Sequence, residues 1–383
     1  MGSTIVALTV ATALVFDFTN GFHDTANAMA TTIATRALPP RTAVGLAAIL
    51  NFAGAFISVA VAATIASGIV EQDGVTVPII FAGLVGAILW NVITWFLGIP
   101  SSSSHALVGG VVGSVIAGVG STGVIWTGIA SKVVIPAVLA PFVCGLAAYI
   151  ATMLSYRLTR RYRAERSSEG FRLSQIASSS MVALAHGTND AQKTMGVVVL
   201  TLVAGGQLSA GSGVPLWVKF ACAAAIAAGT FSGGWRVIKT LGTRVTEIQS
   251  PQGFSAETSS ATSILASSYF GFSLSTTQVV SGGVMGAGLG RKGGVVHWMV
   301  VRNMVIAWLV TMPAAGLMGA VSEEAVSAFS NPTVGVGVVG GIMVAILTTF
   351  FVMARRHGNV TSQNVLDEDV STPGARAPVP VGA

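Results

Sequence analysis

Residues 20–29 read N-G-F-H-D-T-A-N-A-M, and residues 187–195 read G-T-N-D-A-Q-K-T-M. Aligning Asp24 with Asp190 superposes the two stretches. The same offset, stretched slightly, brings a second pair into line: P-S-S-S-S-H-A-L-V-G-G-V-V-G (Pro100–Gly113) with S-L-S-T-T-Q-V-V-S-G-G-V-M-G (Ser273–Gly286). His105 then faces Gln278, and Gly109, Gly110 and Gly113 face Gly282, Gly283 and Gly286. Two motifs recurring in one order at similar separations indicate an internal duplication, with 1–155 as the first half and 174–354 as the second.

The solvent around these motifs follows from composition. Charged residues make up 9% of the chain, where soluble domains hold about 25%. Mean hydropathy is +0.76. No charge occurs between Arg41 and Glu71, and His105 is the one titratable side chain between Asp73 and Lys132. Stretches of this kind meet the requirement of about 18 apolar residues for a membrane-spanning helix. An all-α polytopic membrane protein is expected, with about 10–12 membrane segments. These fall near 4–35, 42–69, 78–98, 101–119, 124–154, 174–204, 214–234, 252–271, 274–290, 295–320 and 332–354. The segments 101–119 and 274–290 are short and open on hydroxyl residues, which reads as two re-entrant hairpins. Cys144 and Cys222 lie in apolar runs and imply no disulfide framework. Residues 1–12 carry no basic n-region, which argues against a cleaved signal peptide.

Charge sidedness sets the orientation. Arg36 and Arg41 precede a connection with Glu71 and Asp73. Next comes a basic loop at 156–173, with Arg157, Arg160, Arg161, Arg163, Arg166 and Arg172. Uncharged 205–213 follows, then Arg236, Lys239 and Arg244, then Arg291 and Lys292, then Glu323 and Glu324, then Arg355 and Arg356. Basic loops belong in the cytoplasm. The N-terminus is therefore expected outside and the C-terminus inside a plasma (inner) membrane, with 355–383 as a disordered cytoplasmic tail. The net charge of +6 belongs mostly to these loops and reads as topology rather than nucleic-acid binding. The second half starts on the opposite face from the first, the arrangement of inverted repeats in secondary transporters.

A carboxylate at mid-membrane costs about 2.5–3.5 kcal/mol and marks a functional site. Gly21 and Gly187, beside Asp24 and Asp190, would permit broken helices whose free amides and carbonyls bind ions. Ser102, Ser103 and Ser104, and Ser275, Thr276 and Thr277, each precede an apolar helical run. Hydroxyls there either serve as plain N-caps or, with the dipole and free amides, form an anion site. A carboxylate pair beside an anion must be protonated or hold a cation, which is the logic of symport. Lys193 takes the place that Asn27 holds in the first half. It stands three residues from Asp190, on one helical face if the helix is continuous, or else snorkels to the cytoplasmic surface.

These motifs resemble the inorganic phosphate transporter (Pit) family. The likeness rests on N-G-F-H-D-T-A-N-A-M-A-T, A-H-G-T-N-D-A-Q-K-T-M-G, G-I-P-S-S-S-S-H-A-L-V-G, S-L-S-T-T-Q-V-V-S-G-G-V-M-G and S-P-Q-G-F-S-A-E (Ser250–Glu257), and covers about 4–354. It implies a phosphate symporter with inverted repeats, two re-entrant hairpins and a homodimer. Phosphate would meet Ser102 to Ser104, Ser275 to Thr277 and Lys193. The coupling cation would meet Asp24, Asn27, Asn189, Asp190 and Glu257. No resident cofactor or metal is implied, and the coupling ion is expected to be a proton, with sodium as the alternative. Bacterial members of this kind are thought to carry phosphate as a neutral divalent-metal complex. Departures from the family pattern are Lys193 in place of Asn, Gln278 in place of His, and no acidic counterpart of Glu257 in the first half.

Other classes fit less well. An intramembrane hydrolase built on Ser104 and His105 would need the two side chains to converge, and adjacent helical residues diverge. A passive channel needs no carboxylate pair. Symport of another tetrahedral oxyanion, such as sulfate, is the nearest rival.

Overall fold

The computed structural model describes residues 2–72, 74–159, 164–356 and 360–367. The first half contains α1 (Gly2–Ala34), α2 (Pro40–Gly54), α3 (Ala60–Ser67), α4 (Val77–Leu97), α5 (Ser103–Val119), the single turn α6 (Trp126–Ile129) and α7 (Ile135–Thr159). The second contains α8 (Ala164–Ala204), α9 (Leu216–Ser232), α10 (Trp235–Lys239), α11 (Ser250–Tyr269), α12 (Thr276–Gly290), α13 (Trp298–Ser327) and α14 (Pro332–Arg356). Among the described residues no strand forms. Two isolated bridges, Val70 with Val124 and Thr246 with Val296, fall at matching places in the two halves.

Every expected segment is helical, with some boundaries moved. Segment 42–69 is divided into α2 and α3 by residues 55–59. Segment 214–234 continues past Gly233 (φ +71°) into α10 and the π turn Thr240–Arg244 through a 62° bend. Most of 156–173 is helical, because α7 runs to Thr159 and α8 starts at Ala164. Asp73, Arg160, Arg161, Arg163 and the side chain of Arg166 lie outside the described residues. Part of the expected disordered tail is ordered: Val365 is buried in the core that holds Phe22 and Trp95, and Ser362 accepts a hydrogen bond from Arg41 Nε at 3.2 Å. The rest of the tail, 357–359 and 368–383, lies outside the described residues.

Among the described residues, α1, α4, α6–α7, α13 and α14 are long and apolar enough to cross a bilayer, and the bent α9–α10 pair makes a sixth candidate. The remaining helices are shorter, interrupted or more polar. Their polarity is turned inward, since Asn51, His186, Asp190 and Lys193 are all buried, as is Asp24 of α1. Outward faces are apolar, as with Phe142, Leu146 and Leu158 on α7 and Leu309 and Leu317 on α13. A face of this composition fits hydrocarbon rather than water.

The expected breaks at Gly21 and Gly187 do not occur, and α1 and α8 run through both positions. Glycine serves close approach there instead. A Cβ on Gly21 would strike the Ile226 carbonyl of α9, and one on Gly187 would strike the Asn51 backbone of α2. Both uses of glycine follow from its missing side chain. Breaks occur elsewhere, at 55–59, at Gly233–Gly234 and at the turns joining α4 to α5 and α11 to α12.

Those two turns position the site. α4 packs on α5 and α11 on α12, forming two helical hairpins. α4 ends on Gly98 (φ +67°) and α11 runs out at Gly271 (φ +69°), left-handed conformations that glycine adopts without strain. The paired glycines of the sequence line the outer arms. Gly109 and Gly113 of α5 meet the α13 backbone at Met312 and Gly316, and Gly282 and Gly286 of α12 meet the α7 backbone at Pro141 and Gly145. Each hairpin is thereby held by a helix of the other half.

Candidate functional site

The two hairpin turns bring the hydroxyl runs together in the centre of the molecule. Ser102 is the N-cap of α5, and its Oγ accepts from His105 N at 3.2 Å. Ser275 does the same for α12, accepting from Gln278 N at 3.3 Å. These caps use the first hydroxyl of each run, so for Ser102 and Ser275 the plain capping role holds. The next two hydroxyls of each run, Ser103 and Ser104, and Thr276 and Thr277, are buried and turned to the carboxylates or across to the opposite turn. The first-turn N–H groups of both helices have no acceptor within their helix.

Asp24 of α1 lies between the two turns. Its Oδ2 accepts from Ser103 Oγ at 2.7 Å and its Oδ1 from Thr277 Oγ1 at 3.4 Å. His23 Nδ1 is 2.6 Å from Oδ1, and its Nε2 reaches Ser101 Oγ at 3.3 Å. Asn27, one turn on, donates to Thr277 Oγ1 at 3.0 Å and Thr276 Oγ1 at 3.3 Å. Asp190 of α8 accepts from Thr276 Oγ1 at 3.0 Å. His186, one turn before it, places Nε2 3.0 Å from Asp190 Oδ2 and 4.0 Å from Asp24 Oδ2. The His186 ring is set by Asn51 Oδ1 at 3.1 Å, and Asn51 in turn donates to Thr230 Oγ1 at 2.7 Å.

Lys193 is 1% exposed, so it does not snorkel. Continuous α8 puts it on the face of Asp190, as i, i+3 spacing requires. Its ammonium donates to Asp190 Oδ1, to Ser104 Oγ and to the Leu274 carbonyl at 2.7 Å. Three N–H groups meet three acceptors, one on each of three elements. His105, by contrast, does not join Ser104. Its Nε2 has no partner, and its ring lines an apolar groove with Gln278, Pro141, Trp298 and Trp308. Ser104 and His105 therefore do not form a nucleophile pair.

A model of the phosphate transporter family matches residues 20–319. The chain belongs to that family. It is 58% identical over 317 residues to a probable low-affinity inorganic phosphate transporter of Mycobacterium tuberculosis, spanning 82% of this chain and 76% of the relative. It is 53% identical over 360 residues to the protein of the same description from Mycobacterium leprae, spanning 93% and 87%. The Bacillus subtilis relative, again so described, is 38% identical over 322 residues, spanning 83% and 96%. A solved structure described as the sodium-dependent phosphate transporter superposes with a TM-score of 0.76 at 26% identity, covering 85% of this chain and all of the other. The relatives of this family are transporters, and the chain is not an enzyme.

Against this family frame, the expected residues divide. Asp24, Asn27, Asp190, Lys193, Ser103, Ser104, Thr276 and Thr277 form one cluster. Ser102 and Ser275 cap the helices behind it. Asn189 points to α11, donating to Ser268 Oγ at 2.8 Å, while its Oδ1 has no partner. Glu257 forms a separate knot. Oε1 accepts from Thr31 (2.6 Å), Thr32 (2.8 Å) and Gln175 (3.2 Å), and Oε2 from Ser178 (2.6 Å). It ties α11 to α1 and α8, two turns past Asp24 along α1.

Glu257 can be tested for more than tying. Glu257→Ala strands three buried donors, Thr31, Thr32 and Gln175, while Ser178 can fall back on the Gln175 carbonyl, and is expected to cost about 1–3 kcal/mol, read as a lower unfolding temperature in detergent. Glu257→Gln keeps an acceptor oxygen and is expected to fold nearly normally. Normal uptake by Glu257→Gln would make the knot structural; lost uptake with normal stability would assign its charge to coupling.

Residues absent from the sequence-based set are His23 and His186, both touching the carboxylates. Both stand in the quoted motifs. Duplication does not flag them, because His23 aligns with Asn189 and His186 with Asn20.

Proposed function

We propose that this protein imports inorganic phosphate across the plasma membrane by cation symport, with a proton as the coupling ion. The observation that carries the reading is Asp24, which accepts from Ser103 of one hairpin turn and Thr277 of the other. Asp190 likewise occupies Thr276. The hydroxyls suited to an oxyanion are thus donated to carboxylates. A cation or proton on those carboxylates weakens their hold and frees hydroxyls and helix N-termini for phosphate. Anion binding without a cation would bring like charges together in a buried site. Coupling then needs no separate device.

Lys193 supports the proton. It supplies a fixed positive charge at Asp190 where a diffusible cation would otherwise sit, and leaves Asp24 as the carboxylate without a lysine partner. Sodium is the alternative, favoured by the description of the structural neighbour. A divalent-metal phosphate complex as cargo has its own support: ligand atoms of Asp24, His186 and Asp190 lie within 4.8 Å of one another, an imidazole and two carboxylates. Such a complex would enter as a neutral species. The paired bridges, turns and caps support two inverted repeats, and the loop charges support an N-out, C-in orientation. A homodimer belongs to the reading through the family resemblance alone.

The deciding experiment is phosphate uptake in proteoliposomes with proton and sodium gradients imposed separately, each with and without magnesium. Accumulation driven by an inward proton gradient in sodium-free buffer supports the proposal. Accumulation that follows sodium and ignores pH overturns proton coupling, and competition by sulfate as strong as by phosphate overturns the substrate. In the same assay, Ser103→Ala with Thr276→Ala removes one donor from each turn. Hydrogen bonds to a charged group are worth about 1.5–3 kcal/mol, so phosphate affinity by calorimetry is expected to fall tenfold or more.

A further inference from the structure

Asp17 has no part in the cluster above, yet it is fully buried in α1. Neither of its carboxylate oxygens has a hydrogen-bond partner, and among the described residues no other carboxylate has both oxygens so placed. A charge left in this state within a membrane protein marks a functional position. Its neighbours come from three helices. Thr194 of α8 stands beside it, near enough for its buried hydroxyl to favour the charged carboxylate but outside ordinary hydrogen-bond geometry. On α1, Asn20 lies one turn on along the same face, and its Oδ1 is also buried and unpartnered. Cys222 of α9 is within electrostatic range, as are Asp190 and Lys193 of α8. α9 is pressed against this part of α1 by Gly229, where a Cβ would strike the Phe18 carbonyl, which closes the site from that side.

Asp17 and Asn20 carry acceptor oxygens that call for a cation or a proton, and the Thr194 hydroxyl on the facing helix can turn its oxygen to that cation or its hydrogen to the carboxylate. Asp17 and Asn20 also share a line. Asp17, Asn20, Asp24, Asn27 and Thr31 recur at i, i+3, i+7, i+10 and i+14, one stripe of α1. Asp17 lies two turns, about 10 Å, from Asp24 toward the N-terminal end of α1. We propose that Asp17, with Asn20 and Thr194, forms a second station for a monovalent cation, through which the coupling ion passes between the N-terminal side and Asp24. The proposal deepens the cation-symport reading and rests on it for the word coupling, while the binding itself can be measured without transport.

The test uses the purified full chain in detergent without phosphate, as wild type, Asp17→Asn and Thr194→Val. Infrared difference spectra follow the carboxylic-acid C=O stretch on changing pH and, separately, the carboxylate bands and thermal stability on adding sodium chloride against choline chloride. The expected result is a response in one arm for wild type, of which one component is lost in Asp17→Asn and weakened in Thr194→Val while the component from Asp24 stays in all three. A response in the pH arm identifies a proton, one in the sodium arm a sodium ion. Identical responses in all three proteins overturn the station. In proteoliposomes, Asp17→Asn is expected to lose gradient-driven uptake while keeping phosphate counterflow, which needs no net cation release. Loss of counterflow in both variants overturns the proposal by putting Asp17 in the phosphate site. A wild type that fails to accumulate phosphate under either gradient defeats the symport reading instead, and the spectra still decide the station. Thr194→Val keeps the carboxylate and the packing volume, so the question survives misfolding of Asp17→Asn.

Discussion

Lys193→Met is expected to cost about 3–5 kcal/mol of stability, because it leaves Asp190 buried with only Thr276 and His186 beside it and strips Ser104 and the Leu274 carbonyl of their shared donor. The loss should appear as a lower unfolding temperature and reduced yield of monodisperse protein. Asp190→Asn is expected to cost less, since the amide can still accept from Thr276 and the ammonium retains Ser104 and Leu274. The double variant Lys193→Met with Asp190→Asn removes both charges and should recover most of the stability. Transport should not recover if, as proposed, the pair serves the cycle as well as the fold. Full recovery of uptake in the double variant would reduce Lys193 and Asp190 to a structural bridge.

Asp24→Asn is expected to abolish phosphate accumulation while changing stability by about 1 kcal/mol. Asparagine keeps the shape and one acceptor oxygen for Ser103 or Thr277, so the hairpin turns stay joined. It cannot take up and release a cation, so the switch between carboxylate and phosphate is gone. Uptake at the wild-type rate, with equal protein in the liposomes, would move the coupling site elsewhere. Together the two variants separate the halves of the site. The α8 side carries a resident charge and should fail first in folding, and the α1 side, where the proposed cation exchanges, should fail only in transport.

Much of the fold and site is legible in the residues, for physical reasons that differ from place to place. A carboxylate in an apolar run is costly wherever it points, so Asp24 and Asp190 stand out from composition and position alone. The pairing of the two hydroxyl runs holds because each turn needs the same glycine, cap and first-turn donors. Gly21 and Gly187 mislead, since a glycine that breaks a helix and one that admits a neighbouring backbone look alike in sequence. The motif around Glu257 points to the cation site, but its partners Thr31, Thr32, Gln175 and Ser178 come from two other helices, and only the packing brings them round it. His186 depends on Asn51 and Thr230 for its aim, a chain of contacts with no sequence spacing to reveal it. Val365 is hidden by the Pro- and Ala-rich composition that follows it.

The tethered ammonium of Lys193 also bears on energy yield. One elementary charge crossing 100 mV releases about 2.3 kcal/mol, enough for roughly fortyfold accumulation of the solute that travels with it. A cation fixed to α8 cannot be delivered to the other side and so contributes nothing to that driving force. In exchange, Asp190 keeps its counter-charge without drawing on the ions outside, and in the proposed cycle only Asp24 waits for one. If the coupling ion is the proposed proton, a carrier built this way gives up steepness of accumulation for the ability to run without sodium.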